Sequence, residues 1–318
     1  MRRLGSDNEK GAVSVIVAIL LVTLLGFVAI AVDVGVIYSE RAQLQSGADA
    51  SAIAVAQKCA KNTADTQCST TATLAGSLAN QNALDGMSNV YSIQLDKTAR
   101  TVSVITSAKE TGGPDNSVSL FFANAIGIPS KEVGAKASAT WGTPAKGPVI
   151  LPLAIAYCKL NIPPGGAQGA ELVLEQSVNG CGGIPGGFGW MQTTSSKCAI
   201  TATAGASTNA GIWFASDTGA SAPSTCTASD FSQMNNQTVL LPMYDLATGT
   251  GSSGKYYIKG FAAFHVTGYQ FASIGWTTGP KVANKTIRGY FVKFVSLAQG
   301  FELGSTPDYG ATIARLTL

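Results

Sequence analysis

A run of 21 residues without a charge, Ala12 to Val32 (AVSVIVAILLVTLLGFVAIAV), constrains this chain more than any other feature. At about 1.5 Å per residue, a helix of that length crosses a hydrocarbon layer about 30 Å thick. Arg2, Arg3 and Lys10 precede the run, diluted by Asp7 and Glu9; Asp33 and Glu40 come after it, and Arg41 is the first basic residue beyond. The Lys/Arg bias predicts a single pass through the cytoplasmic membrane, with the N-terminus inside and the bulk of the chain extracytoplasmic. A cleavable signal peptide is the competing reading, with Ala29-Ile30-Ala31 as the small-residue site. The apolar run is longer than the roughly 7 to 15 residues of a signal core, and either reading exports the rest of the chain. Arg2-Arg3 lacks the rest of a twin-arginine signal.

The helical pattern continues past the apolar run. Ile30, Val34, Ile37, Arg41, Leu44, Ala48, Ser51 and Val55 recur at alternating steps of four and three in a stretch free of proline. Continuity to about residue 60 would give a rod roughly 70 Å long, half in lipid and half outside. A partner helix or the protein's own globular part would each account for the seam. Gly35 and Gly47 weaken the pattern, each by up to about 1 kcal/mol relative to Ala.

These residues carry a resemblance. KGAVSVIVAILLVTLLGFVAIAVDVGVIYSERAQLQSGADASAIAVA, residues 10–56, resembles the N-terminal segment of the Flp pilus-assembly TadE/G-like family. The shared order is basic residues, a Gly-Ala-hydrophobic run, Asp-Val-Gly, a tyrosine, and an Ala/Gln/Leu-rich helix ending in alternating Ala and Asp. The resemblance implies a membrane-anchored component of a tight-adherence (Flp) pilus or related bacterial envelope apparatus. Its partners would be membrane lipid and other pilus-assembly or envelope proteins, and it implies no enzyme and no cofactor. Longer family members carry a von Willebrand A-type domain with a DxSxS metal motif, and Asp115-Asn116-Ser117-Val118-Ser119 fits that string. Such a site needs its Asp at the end of a buried hydrophobic strand, whereas Lys109-Glu110-Thr111-Gly112-Gly113-Pro114 stands here. The role expected for Asp115 or Asn116 is instead to cap a helix through Leu120, Phe121, Phe122 and Ile126. Gly11 directly precedes the apolar run, as in prepilins, where a membrane peptidase cuts after a glycine, so Gly11 and Ala12 form the candidate leader-cleavage pair.

Only 12% of the 318 residues are Asp, Glu, Lys or Arg, about half the usual share. The net charge is +3 with no basic cluster after residue 11, so nothing matches the Lys/Arg stripe that a nucleic acid demands. Six cysteines, Cys59, Cys68, Cys158, Cys181, Cys198 and Cys226, form no CxxC pair, and His265 is the one histidine. Disulfides in an oxidising compartment fit better than a metal site. The ten-residue loop from Cys59 to Cys68 predicts one disulfide, contributing about 2 to 3 kcal/mol. For the other four, three connectivities exist, of which Cys181–Cys198 with Cys158–Cys226 is the preferred pairing.

Beyond the stalk, the fold expected is α+β: a small α+β module over residues 61–142, a linker at 143–149, and a loop-rich antiparallel β domain over 150–318. Val90 to Leu95 and Arg100 to Thr106 predict a hairpin, the second strand turning Val102, Val104 and Thr106 to one side; Glu132 to Trp141 predicts a third strand. Thr143-Pro144-Ala145-Lys146-Gly147-Pro148 reads as the boundary. Residues 143 to 254 hold only eight charges and many glycines. The run Gly182 to Trp190 lacks the lysine of a phosphate loop, and Phe188 and Trp190 are expected to pack inward. Val239 to Tyr244, Lys255 to Tyr269 and Thr286 to Leu297 read as strands.

No catalytic constellation stands out. His265 lies within a strand-like run, there is no GxSxG or HExxH, and Glu171 and Glu175 sit in ELVLEQSV, which reads as strand or helix. Two functions of different class remain: an anchored structural or assembly subunit, and a membrane-tethered exported enzyme or ligand-binding protein, for which the sequence supplies a tether and an ectodomain but no site.

Overall fold

The computed structural model describes residues 8–162, 168–176, 186–193, 197–205, 213–217, 222–249, 253–296, 300–304 and 306–317. The chain divides into two compact units, the first comprising residues 1–55, 65–139 and 316–318, the second 56–64 and 140–315. Helix α1 (Asn8–Lys61) runs unbroken for 54 residues, a length of about 80 Å. Lys58 and Lys61 in its last turn face the negative end of the helix dipole.

In the first unit, α2 (Thr73–Gln81) leads to the hairpin β1 (Ser88–Asp96) and β2 (Thr101–Ala108), then β3 (Ser117–Ser119), a 3-10 turn (Ala123–Ile126), β4 (Ser130–Glu132) and the start of β5 (Gly134–Val149). The hairpin is the one expected. Its turn is tied by Asp96 Oδ1, which accepts from the amides of Thr98 and Ala99, each at 2.8 Å. Val102, Val104 and Thr106 do share a buried face. Thr106 is tolerated there because its hydroxyl donates to the carbonyl of Leu44 on α1 at 2.8 Å.

The seam along α1 is buried only in its C-terminal half. Leu44, Ala48, Ser51 and Val55 have almost no exposure, whereas Ile30, Val34 and Arg41 face outward. Leu44 packs with Ala108, Val118, Leu120, Val133 and Ala135, so within this unit the seam serves the protein's own module. Helix α2, which sequence patterning did not reveal, lies on the same part of α1: Ser51 Oγ donates to the carbonyl of Ala75 at 2.9 Å, and Gly47 lies under Ala79.

Two expectations fail locally. Asp115 and Asn116 cap no helix: residues 117–119 are strand β3, and only Ala123–Ile126 turns helically. Asn116 takes a left-handed φ of 61°, its Oδ1 accepting from Ser107 Oγ and Asn89 Nδ2. The expected linker, Thr143 to Pro148, is instead the second half of β5. Backbone partners on β9 (Ile200–Thr203) and β16 (Glu302–Gly304) hold it extended despite its prolines, whose fixed φ suits a strand that needs no donor at those two positions.

The second unit is largely antiparallel β, as expected. Its main sheet has the order β7 (Leu172–Glu175), β14 (Thr286–Val292), β12 (Lys255–Phe271), β11 (Thr238–Thr248), β6 (Leu153–Ala156), β8 (Phe188–Trp190), with β10 (Trp213–Ala215) and β13 (Ile274–Thr277) also on β12. Parallel pairs among the described residues include β6 with β11 and β15 (Phe294–Ser296) with β17 (Ala311–Thr317). A short helix α3 (Ala228–Ser232) starts with a capping box between Thr227 and Asp230. Phe188, Trp190, Phe231 and Phe271 form an edge-on aromatic cluster at the centre of the core, so Phe188 and Trp190 do point inward. Gly189 between them is needed because a Cβ would run into the Tyr256 ring.

The structure corrects the disulfide pairing. Cys198 bonds Cys226, which rules out both Cys181–Cys198 and Cys158–Cys226. The loop before α3 brings Cys226 to the strand that Cys198 leads into, a proximity that sequence spacing cannot show. Cys59, Cys68 and Cys158 are disulfide-bonded as well; Cys181 lies outside the described residues.

Candidate functional site: the anchor helix and its Asp33 junction

Among the described residues, one helix is long and apolar enough to cross a membrane. The most apolar 18-residue window of α1 has a mean hydropathy of 3.2, and none of it is buried by the rest of the chain. Val13 through Val32 therefore present a bare apolar cylinder, which in water would be an untenable exposure. Gly11 and Ala12 lie within α1, directly ahead of it.

Asp33 closes this cylinder. It is the residue after Val32, yet only 6% of it is exposed. Its Oδ1 accepts from the amides of Phe121 at 3.1 Å and Phe122 at 3.3 Å, and its Oδ2 from the amide of Ala123 at 2.6 Å. These are the free N–H groups that open the 3-10 turn Ala123–Ile126, so the cap expected from Asp115 or Asn116 comes from a residue 90 positions earlier than Ala123. Gly127, in the left-handed region at φ 87°, ends the turn. A burial this deep is tolerable for a carboxylate because three donors replace its water. The sequence signal that could have found it is a lone acid immediately after an apolar run.

Further along α1, Glu40 is half-buried; burial first, and then the nearby charges of Asp85 and Glu110, raise its pKa above the usual carboxylate value. Gln43 Oε1 accepts from the Leu84 amide at 2.6 Å. The module is thus tied to α1 at positions 33, 43, 44 and 51.

The other chemistry-bearing residues are occupied in the fold. His265 on β12 stacks on Tyr290 with ring centres 4.9 Å apart, and its ring nitrogens lie 3.1 Å from Thr238 Oγ1 and 3.3 Å from Asn236 Oδ1. Glu171 accepts from Thr267 Oγ1 at 2.5 Å and lies 3.6 Å from the buried Arg288. Glu175 ends β7, a strand, so it and Glu171 do not share a helix face. Lys259 and Asp245 pair at 2.6 Å beside Tyr309, whose pKa burial and then the charges of Asp245 and Tyr157 push up to about 12. That phenol stays protonated at neutral pH and is no base.

Residues 11–58 match the family model described as Putative Flp pilus-assembly TadE/G-like. No curated protein and no solved structure matches the chain. The match covers nearly all of α1, from Gly11 through Lys58 in its last turn.

Proposed function

We propose that this protein is a membrane-anchored structural or assembly component of a tight-adherence pilus or related bacterial envelope apparatus. Residues 1–11 lie in the cytoplasm, 12–32 span the membrane, 33–60 form the stalk, and the rest of the chain acts outside the cell among other pilus-assembly or envelope proteins. One observation carries the reading: a single helix that matches the TadE/G-like model joins a bare apolar half to a half packed against its own module. The first half suits lipid and the second carries folded protein away from it. Such a role needs no reaction, and Glu171, His265 and Lys259 are spent on hydrogen bonds and ion pairs that hold the fold.

The test has two arms. A periplasm-active reporter fused after residue 60 should be active; activity only for a cytoplasmic reporter would overturn the topology. In cells, a photo-crosslinking residue at an exposed position of the first unit, such as Leu84, should capture pilus-assembly or envelope components identifiable by mass spectrometry. Recovery of no such component across several exposed positions would overturn the assembly role.

A further inference from the structure

The loop that Asp33 holds carries four large apolar side chains that the chain leaves open: Phe121 is 81% exposed, Ile126 78%, Ile128 50% and Phe122 39%. The rings of Phe121 and Phe122 sit edge to face with centres 5.0 Å apart, forming one knob. From Leu120 to Pro129 there is no charged residue. We propose that this loop is a second membrane contact, resting its Phe121, Phe122, Ile126 and Ile128 side chains in the acyl and headgroup boundary beside the anchor helix.

Three observations point to lipid as the occupant. The first is position. Three amides of the loop bond the residue next to the apolar cylinder, which places the knob at the level where α1 leaves the hydrocarbon and makes it continuous with the lipid-facing band ending at Val32. The second is backbone satisfaction. The amide of Leu120 donates to Pro129, those of Phe121, Phe122 and Ala123 to Asp33, and those of Ala125, Gly127 and Ile128 to carbonyls within the loop. A loop can enter a low-dielectric layer only when its polar backbone is paired in this way. The third is composition: paired aromatics flanked by aliphatics, without charge, match the chemistry of an interfacial anchor. In this arrangement Asp33 does two things at once, pairing amides that lipid would leave unsatisfied and keeping its own charge out of lipid. The loop in turn fixes how far α1 slides through the bilayer.

This inference rests on the anchor reading, and the experiment separates the two. Single cysteines at Ile126, Ile30 and Leu84 in the full-length protein are labelled with a nitrobenzoxadiazole dye without reductant, so that the native disulfides stay closed, with unsubstituted protein as blank. The proteins are reconstituted into phosphatidylcholine–phosphatidylglycerol vesicles and quenched with doxyl-labelled lipid or with iodide. Leu84 is the aqueous control: it is 88% exposed and tied to Gln43, ten helical positions or about 15 Å beyond Asp33. The label at 126 should be quenched by doxyl lipid within about twofold of the label at 30, and by iodide several-fold less than the label at 84. Iodide quenching at 126 equal to that at 84, or shielding from both quenchers, would overturn the loop's lipid contact, the latter in favour of a protein cover. If the label at 30 escapes doxyl lipid, the anchor reading itself falls. A second label at Ile128 guards against a local defect at 126 and should behave as 126 does.

Discussion

Gly47 of α1 lies directly beneath Ala79 of α2: a Cβ built on Gly47 would stand 3.1 Å from the Ala79 Cα. The helices meet through small groups, with Ser51 and Ala75 one turn along, and a helical glycine that ordinarily weakens its helix is here the condition of close approach. Gly35, with nothing within 4 Å of its notional Cβ, has no such excuse. We expect Gly47→Leu to destabilise the first unit by about 1 to 3 kcal/mol through overpacking against backbone. Gly35→Ala should be neutral or stabilising by up to about 1 kcal/mol. Urea unfolding of the full chain in detergent, monitored by circular dichroism, compares them; equal effects would show that α2 does not dock there.

Asp33→Ala removes the acceptor of three amides at once. The expected cost is about 2 kcal/mol, the upper end of a helix-cap deletion, because the acceptor is charged and the donors are left partly buried. Asp33→Asn should recover part of it, since one oxygen still accepts. Limited proteolysis would show faster cutting between Leu120 and Ile128 in the alanine variant; unchanged cutting would mean that the loop holds itself.

Glu40 gives the stability a pH dependence of definite sign. Its raised pKa means that the folded state binds the proton more tightly than the unfolded chain, whose value is near 4.5. Stability from this group is therefore greatest at low pH and is lost as pH rises from about 4.5 through the raised folded value; above that, the ionised carboxylate facing Asp85 and Glu110 is a standing cost. Glu40→Gln should be more stable than wild type at pH 7 and should lose part of the fall in stability that begins as pH rises through about 4.5. A variant less stable at pH 7 would show that Glu40 holds a favourable contact that its charge maintains.

The long apolar helix, the hairpin and the C-terminal strands were legible because each rests on a local pattern: 21 uncharged residues, Val102-Val104-Thr106, and the β-branched and aromatic runs around β11, β12 and β14. The features that escaped depend on distant partners. Asp33 could be seen to come after the apolar run, but not that its acceptors would meet amides near position 121. Ala75 and Ala79 make α2 a helix packed through alanines, with no large apolar stripe to announce it. The prolines of β5 read as a break because only the neighbouring strands show that their missing donors are not needed. Cys226 reaches Cys198 through the chain reversal before α3, which spacing does not encode.

Peptide mapping without reductant should recover Cys198 joined to Cys226, and Cys59 joined to Cys68 across their ten-residue loop. Both members of the latter pair are already disulfide-bonded and nearly unexposed. Free thiol at either, or any Cys181–Cys198 species, would contradict the assignment.

Gly11 directly precedes the apolar run, as in prepilins, and a cut there, removing residues 1–11, would leave a new amino group at the edge of the apolar cylinder. In pilin-like proteins a glutamate commonly sits five residues after the cut, where its carboxylate can neutralise a neighbouring subunit's amine within lipid; here that position is Ile16. An uncompensated amine is costly in hydrocarbon and favours the interface, which works against burying this helix in a filament. The Asp33-held loop adds a second restraint on sliding α1 out of the bilayer. We therefore expect the chain to remain uncut, or to be cut inefficiently, and to work as a fixed anchor. Intact-mass measurement on membrane-extracted protein tests this: a homogeneous species beginning at Ala12 would contradict the expectation and move the reading toward a pseudopilin. Placing a glutamate by Ile16→Glu then gives a complementary readout, since restored processing and recovery of the chain in sheared filaments would identify the missing acid as the reason for retention.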